Sequence, residues 1–336
     1  MKKYLWTVLP LLWITACELP PRNPAQPDAR PANEKARRDH HDGPEEYVLV
    51  TTGVTMPLYV NHDLAAFRRW GKERNVTVSV IGLKDLDISA QINTIEQAIL
   101  SRPSGLLING SDPALAQVIN KAVDEGIPTV TYDSDVPNCR RNAFIGSDWY
   151  QIGQTQGEAM AKLLNGRGKV AYMGIVGLPI MEKGFQGLLD ALKKYPGIQV
   201  IGKYDDKGNV EEAARIASDL IAANPDLGGL CGFDSNSGPG IGVAIGEAGK
   251  AGKVMATTVD WEPRHLQLVK EGIIQLLVGQ KRELFTWYGA QFLYDQVHAT
   301  VQLSRDDGKA GVSSIPYSIN TGSILITKEN IDQFLK

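Results

Sequence analysis

From residue 47 to the end of the chain, short apolar runs alternate with segments whose apolar residues recur every three or four positions. Residues 47–50 form a continuous apolar run, which is typical of a strand buried on both faces. Leu64, Phe67 and Trp70 then follow at helical spacing. Because strands that are separated by helices pair in parallel, the alternation predicts an α/β fold with doubly wound parallel sheets.

The same alternation occurs twice, first up to Asp148 and again from residue 169 onward. A stretch of this length is too large for one comfortable hydrophobic core, so we expect two α/β domains. The composition is 43% hydrophobic and 22% charged, with a formal net charge of -3. This balance is typical of a soluble globular protein and gives no electrostatic reason to expect a nucleic acid partner.

Polar side chains follow four of the predicted strands at the point where each strand ends. They are Asp133, Asp234, Asp260 and Gln280. Because ligands of open α/β sheets bind outside the carboxyl ends of the strands, these residues predict a polar cleft between two domains. A carboxylate can accept hydrogen bonds from two neighbouring hydroxyl groups, which suggests a sugar-binding role for Asp133. The alternative is that Asp133 and Asp135 only shape a turn or cap a helix.

The N-terminus has the pattern of an export signal. A short basic start precedes the apolar run 5–14, which is too short to span a bilayer and contains Pro10. Small residues precede Cys17, as in the bacterial lipobox, so we predict a signal peptide over residues 1–16 and lipidation of Cys17. The alternative is an ordinary secretory signal that is cleaved elsewhere. Residues 17–45 are proline-rich, which predicts a disordered linker with His40 and His41 as solvated residues.

No motif in the sequence indicates a catalytic or metal centre. There is no Gly-x-Ser-x-Gly elbow and no histidine or cysteine cluster at metal-ligand spacing, and the glycine-rich stretch 238–242 lacks the spacing of a phosphate-binding loop. We interpret His62, His265 and His298 as surface or packing residues. The spacing of Cys139 and Cys231 does not argue for a disulfide. We therefore predict no enzyme activity, no cofactor and no metal.

Seven short motifs occur in order along the chain. They are Met56-Pro57-Leu58-Tyr59, Gly126-Ile127-Pro128, Ile145-Gly146-Ser147-Asp148, Lys183-Gly184-Phe185-Gln186-Gly187, Asn224-Pro225-Asp226, Val259-Asp260 and Gly279-Gln280. The series resembles that of the type I periplasmic sugar-binding proteins, the ribose-binding-protein-like class of ABC transporter substrate-binding lipoproteins. The resemblance covers residues 47–336 and implies two α/β lobes that close on a ligand.

The resemblance also implies where the two lobes are joined. It places three hinge crossings near residues 147/148, 280/281 and 320/321. The implied N-terminal ligand-binding lobe comprises residues 46–147 plus 281–320, and the C-terminal lobe comprises residues 148–280 plus 321–336. Closure would be favoured by ligand contacts that form only in the closed state.

Five ligand-binding roles follow from the resemblance. Asp133 and Asp260 would hold ring hydroxyl groups from opposite lobes, and Gln280 would add an amide contact at a hinge. Tyr59 would stack on the face of the sugar ring, and Asp234 would contact the ligand or the hinge.

Several positions depart from the ribose-type pattern. Ser134 and Met181 stand where that pattern has arginine, and Phe233 stands where asparagine is common. Because two guanidinium groups are lost, we expect a less polar site and a ligand such as a deoxy-sugar, or a methylated or cyclic polyol. Trp149 and Trp261 are candidates for the missing contact area, with a core position as the alternative for each.

These observations predict a solute-binding lipoprotein of an ABC importer that captures a sugar or a sugar-like hydroxylated small molecule. Its expected partners are that ligand, an ABC permease in the inner membrane and a membrane lipid anchor. We expect an exported monomer that faces the periplasm or the cell exterior. The alternative is a sensory protein that presents its ligand to a membrane receptor or kinase. A sugar-acting enzyme is a third hypothesis, and it would require a pair of titratable groups with shifted pKa values beside the ligand.

Overall fold

The computed structural model describes residues 45–335. The predicted signal peptide, Cys17, His40 and His41 lie outside the described residues. Within residues 45–335, no helix has the length and the apolar character needed to cross a membrane.

Strands and helices alternate along the described residues. The strands are β1 (Glu46–Thr51), β2 (Thr77–Gly82), β3 (Gly105–Asn109), β4 (Thr129–Asp133), β5 (Ala143–Gly146), β6 (Arg167–Gly174), β7 (Gly197–Asp205), β8 (Leu227–Gly232), β9 (Met255–Val259), β10 (Leu276–Gln280), β11 (Ser318–Asn320) and β12 (Ser323–Ile326). The α-helices are α1 (Ala65–Arg74), α2 (Ile88–Leu100), α3 (Ala116–Asp124), α4 (Trp149–Leu163), α5 (Pro179–Leu192), α6 (Val210–Ala223), α7 (Ser237–Glu247), α8 (Pro263–Lys270), α9 (Arg282–His298) and α10 (Asp307–Ala310). A π-helical turn, Tyr59–Leu64, precedes α1.

The strands form two six-stranded sheets. The first sheet has the order β11-β5-β4-β3-β1-β2, and all of its neighbouring strands pair in parallel. The second has the order β12-β10-β9-β8-β6-β7 and is parallel except for β12, which runs antiparallel to β10. We call the first sheet with its helices the first lobe and the second sheet with its helices the second lobe. The predicted α/β fold class with two doubly wound sheets is confirmed.

Each sheet carries an apolar core on both of its faces. Along β1, Tyr47 and Leu49 pack with residues of α1 and α9, whereas Val48 and Val50 pack with residues of α2 and α3. In the second lobe, one core cluster includes residues of α6, α7 and α8, and the other includes residues of α4 and α5. This two-sided burial explains why the strands read as continuous apolar runs in the sequence.

The chain passes between the two sheets at three places. The first crossing lies between β5 and α4, the second between β10 and α9, and the third between β11 and β12. The third is two residues long, and the amide of Thr321 donates to the carbonyl of Gly146 at 2.9 Å. These crossings comprise residues 147–148, residue 281 and residues 321–322, and the predicted lobe boundaries and the role of the crossings as hinges stay predictions.

Helices α4 and α5 approach each other closely enough for their backbones to touch. A Cβ atom added at Gly153 would lie 1.9 Å from the carbonyl oxygen of Gly184, and one at Gly187 would lie 2.1 Å from the carbonyl oxygen of Tyr150. These separations are far below van der Waals contact, so each glycine permits a backbone approach that alanine would prevent.

We expect Gly153→Ala to lower the free energy of unfolding by about 1–3 kcal/mol, because the two helices must separate to admit the methyl group. Urea unfolding followed by circular dichroism measures this loss. Gly246→Ala is the matched control, since its Cβ would have only Ile273 Cδ1 within 4 Å, at 3.8 Å. That replacement should stabilise α7 by about 0.5–1 kcal/mol. Equal effects at the two positions would contradict the close helix contact.

Candidate functional site

Two aspartates at the ends of corresponding strands, one in each lobe, share an unusual backbone conformation. Asp133 is the last residue of β4 and Asp260 follows β9, and both have φ of 69°. Their exposed fractions are 6% and 3%. Non-glycine residues rarely adopt this left-handed region, and such strain concentrates at functional sites. Burial raises the pKa of Asp260, and the negative charge of Asp133 adds to this shift.

Arg282, the first residue of α9, is buried and binds two carboxylates at once. Its Nε and Nη2 donate to Asp63 at 2.9 and 2.6 Å, and its Nη1 and Nη2 donate to Asp133 at 3.0 and 3.3 Å. Asn109 Nδ2 donates to the same carboxylate of Asp133 at 3.2 Å. The centre of the guanidinium lies 4.7 Å from the centroid of the Tyr59 ring. Arg282 therefore fixes Asp133 and lies over one face of the Tyr59 ring, and the stacking of Tyr59 on a sugar stays a prediction.

Asp260 lies in a different environment from Asp133. Among the described residues it forms no ion pair within 4.0 Å, and its Oδ1 accepts a hydrogen bond from Gln280 Nε2 at 3.2 Å. Burial raises the pKa of Asp260 to about 6, although the charge of Arg282 opposes this shift. The Oε1 atom of Gln280 is buried and has no hydrogen-bond partner among the described residues. Asp260 and Gln280 thus present acceptors that hydroxyl groups could satisfy.

Asp234, predicted to contact the ligand or the hinge, lies in the turn that leads into α7. Its Oδ1 accepts from the amides of Asn236 and Ser237 at 2.8 and 3.1 Å, and the Ser237 hydroxyl is 2.8 Å from its Oδ2. The same hydroxyl lies 2.6 Å from Asp206. Burial and the neighbouring Asp234 raise the pKa of Asp206. These contacts organise the turn, and a ligand contact by Asp234 stays a prediction.

Three predicted site residues, Met181, Phe233 and Trp149, lie together in one apolar core of the second lobe. The ring of Phe233 is fully buried and lies 5.0 Å from the ring of Phe185. Trp149 is also buried, but its Nε1 has no hydrogen-bond partner among the described residues. The Oγ atom of Ser147, at the first crossing, is also buried without a hydrogen-bond partner among the described residues. Packing accounts for Met181 and Phe233, and their contact with a ligand stays a prediction.

The remaining two predicted residues, Ser134 and Trp261, each follow one of the strained aspartates. Ser134 is buried, and its amide donates to the carbonyl of Tyr132 at 2.9 Å. Trp261 is half-buried, and its Nε1 donates to the carbonyl of Gln280 at 3.2 Å. Its ring lies 4.7 Å from the ring of His62 in the other lobe.

The guanidinium of Arg282 beside Asp133 was missed from the sequence, but its N–H groups bind Asp63 and Asp133, so the expectation of a less polar site stays a prediction. Ser134 and Met181 mark only the two positions where the ribose-type pattern has arginine, and Arg282 lies elsewhere in the sequence. The signal that could have identified Arg282 is its place two residues after Gln280, at the second crossing.

His62 also differs from its interpretation as a surface or packing residue. It is buried, and its two ring nitrogens lie 2.7 Å from Glu262 and from Glu283. His265 is fully buried, which agrees with packing, and His298 is partly exposed and contacts Glu45 at 2.9 Å. The interpretation was wrong for His62 because its partner Glu262 is 200 positions away, and nothing in the local sequence indicates that contact.

Comparison with known proteins identifies a family and several relatives. Residues 47–300 match a family described as "Periplasmic binding protein domain". The D-ribose/D-allose-binding protein of Pseudomonas aeruginosa is 28% identical over 208 residues, which cover 59% of this chain and 65% of that protein. The D-xylose-binding periplasmic protein of Haemophilus influenzae is 26% identical over 61% of this chain and 66% of its own length. The chain thus spans about two thirds of the length of these curated relatives.

Two solved structures resemble the whole two-lobed arrangement. A sugar ABC transporter (sugar-binding protein) from Bacillus halodurans is 31% identical with a TM-score of 0.78, and the match covers 87% of this chain and 100% of that one. AraP, an arabinose binding protein from Geobacillus stearothermophilus, is 31% identical with a TM-score of 0.76 over 88% of this chain and 100% of its own.

We expect Arg282→Met to lower the free energy of unfolding by about 3–5 kcal/mol, because Asp63 and Asp133 would remain buried without their cation. Chemical unfolding at neutral pH measures the loss. Arg215→Met on α6 is the control: Arg215 also contacts two carboxylates, Glu212 and Asp219, but is exposed, so its removal should change stability little. A small loss for Arg282→Met would show that the buried ion pairs do not stabilise the first lobe.

Proposed function

The chain belongs to the periplasmic binding protein family, and on that premise we propose that it is the solute-binding protein of an ABC importer. It captures a sugar or a sugar-like hydroxylated small molecule between the two lobes. The observation that carries this proposal is the pair of strained, buried aspartates, Asp133 and Asp260, at strand ends of opposite lobes. Carboxylates in this arrangement accept hydrogen bonds from hydroxyl groups on the two sides of one small ligand.

We propose that the two halves of the site have different roles. Arg282 and Asn109 hold Asp133 in a fixed orientation, so the first lobe presents a preorganised acceptor. On the second lobe, Asp260 and Gln280 have acceptor capacity that a ligand would satisfy. A ligand that joins both sets favours the closed arrangement, because these contacts form together only there.

A neutral ligand suits this charge distribution better than an anionic one. The cation closest to the aspartate pair, Arg282, is already bound by Asp63 and Asp133, and Asp260 adds a further acidic group. A sugar acid or a sugar phosphate would therefore bring negative charge toward buried carboxylates. Three of the relatives named above are, by their names, binding proteins for ribose and allose, for xylose and for arabinose, which are neutral sugars. We propose no catalytic activity for this chain.

The two lobes are proposed to comprise residues 46–147 plus 281–320 and residues 148–280 plus 321–336. We propose that they rotate at the three crossings, and that the protein acts as an exported monomer which delivers its ligand to a permease. The support is the position of the crossings between the sheets and the family to which the chain belongs.

We also propose that Cys17 carries a lipid that anchors the protein to a membrane, with residues 17–45 as a tether. The support is the sequence around Cys17. Mass spectrometry of the protein from a membrane fraction should show Cys17 as a lipid-modified N-terminus, and Cys17→Ala should release the protein into the soluble fraction. An unmodified chain that begins at another residue would contradict the anchor.

The sugar-binding proposal is tested by thermal melting of the purified protein against pentoses, hexoses, deoxy-sugars and polyols. A ligand at about a hundred times its dissociation constant should add about 2.7 kcal/mol of stability. Asp260→Asn should weaken binding of that ligand by about 1.5–3 kcal/mol, because a hydrogen bond to a charged acceptor is lost. Asp219→Asn, on the surface of α6, should leave the affinity unchanged.

The pH dependence of ligand affinity is a second test of the same site. The pKa of Asp260 is raised to about 6, so the ionised acceptor is present above that pH and is lost as the pH falls from 7 to 5. Affinity should therefore fall toward pH 5 in the natural protein, and the Asp260→Asn variant should lose this dependence. If no sugar in the thermal melting panel increases the stability of the protein, the sugar assignment is overturned.

A further inference from the structure

His62 lies between two carboxylates, and each ring nitrogen contacts one of them. Nε2 is 2.7 Å from Glu262 Oε1, and Nδ1 is 2.7 Å from Glu283 Oε1. A neutral imidazole has only one N–H group and can donate to one carboxylate, whereas the imidazolium can donate to both. The side chain of His62 is 9% exposed, so water cannot readily replace either partner. The geometry favours a positively charged His62, because a neutral ring would leave one of the two carboxylates without a donor.

The two carboxylates belong to different lobes. Glu283 lies in the first turn of α9, as part of the first lobe, and Glu262 immediately precedes α8 in the second lobe. His62 itself lies in the π-helical turn of the first lobe, and its neighbour Asn61 donates to Glu262 Oε2 at 2.9 Å. Both oxygens of Glu262 are thus held by consecutive residues of the opposite lobe. We call these four residues, Asn61, His62, Glu262 and Glu283, the interlobe bridge.

We propose that His62 is a positioning residue for ligand capture, because its imidazolium fastens the closed cleft through the interlobe bridge. This inference rests on the proposed function, in which the lobes close on a ligand. Asp133, Asp260 and Gln280 would contact the ligand, whereas His62 would act only through the lobe arrangement. The bridge favours closure before any ligand is present, since all of its members belong to the protein.

The charges around His62 set the sign of its pH dependence. Burial disfavours the charged ring, but the hydrogen bonds to Glu262 and Glu283 outweigh it and raise the pKa of His62 to about 9. A group whose pKa is raised in the closed state favours closure below its ordinary pKa of about 6.5, and that contribution is lost as the pH rises through 9. Each unit of pKa that closure adds is worth about a tenfold change in the closure equilibrium.

Glu262 and Glu283, the partners of His62, have lowered pKa values and stay ionised, and the other acidic groups near the bridge titrate at about pH 7 or below. The pKa of Asp63 is raised to about 7 by burial and that of Asp260 to about 6, so both ionise before His62 loses its proton. Burial lowers the pKa of His265 to about 4, and Arg282 stays charged. An opening of the lobes between pH 8 and 9.5 would therefore report His62.

Small-angle X-ray scattering of the purified, ligand-free protein between pH 6 and 9.5 tests the proposal. The fraction of open protein should rise at least tenfold across this range, with a matching increase in the radius of gyration. His62→Gln should be open throughout and independent of pH. His62→Lys should stay closed to a higher pH than the natural protein, because the ammonium group of lysine keeps its positive charge to a higher pH than an imidazolium does.

Two further variants keep the test decisive. Glu262→Gln removes the negative charge that the second lobe contributes to the interlobe bridge. It should be open at every pH, as expected for His62→Gln, and it keeps the test valid if His62→Gln folds poorly. His298→Gln is the control, because His298 contacts Glu45 within the first lobe and should leave the scattering unchanged. Circular dichroism at each pH establishes that the variants are folded.

A radius of gyration that is independent of pH in the natural protein would overturn the bridge, as would an unchanged profile in both His62→Gln and Glu262→Gln. Because no ligand is present, this failure is separate from a failure of the sugar panel. Loss of sugar binding with an intact pH-dependent closure would instead overturn the proposed ligand class alone.

Discussion

The site in the first lobe depends on the compensation of one buried positive charge. Arg282 is 2% exposed, and a guanidinium at such depth is stable only where carboxylates and hydrogen bonds replace water. Asp63 and Asp133 supply this compensation and, in doing so, join the π-helical turn, the end of β4 and the start of α9. The position of Asp133 is thus set by its cation as much as by its strand. Asp260 has no cation within ion-pair distance among the described residues, and its carboxylate is held by a hydrogen bond from Gln280.

Much of the fold could be predicted from the sequence, because the signals are local. The apolar run of β1 and the helical spacing of Phe67 and Trp70 identify a strand and a helix without reference to any distant residue. The polar residues at strand ends could be located for the same reason, since Asp133 and Asp260 directly follow apolar strands. Parallel pairing then places these ends on one edge of each sheet.

The contacts that define the site could not be predicted in this way, since they join residues far apart in the sequence. Arg282 and Asp133 are 149 positions apart, and Arg282 and Asp63 are 219 positions apart. The sequence contains many carboxylates. Neither the charge of Arg282 nor its neighbours in the sequence indicates which of them it will pair with in the folded protein. His62 illustrates the same limit, because a histidine in a helix-like segment gives no sign of a partner in another lobe.

The short third crossing has a mechanical consequence. Strand β11 pairs with β5, which ends at the first crossing, and β12 pairs with β10, which ends at the second. The three connecting segments therefore run side by side along adjacent edges of the two sheets. We infer that they act as one flexible ribbon, which permits rotation about a single axis but resists sliding of one sheet past the other. Under the proposed rotation, the hydrogen bonds that pair these segments, such as that from Thr321 to Gly146, would move together as one unit.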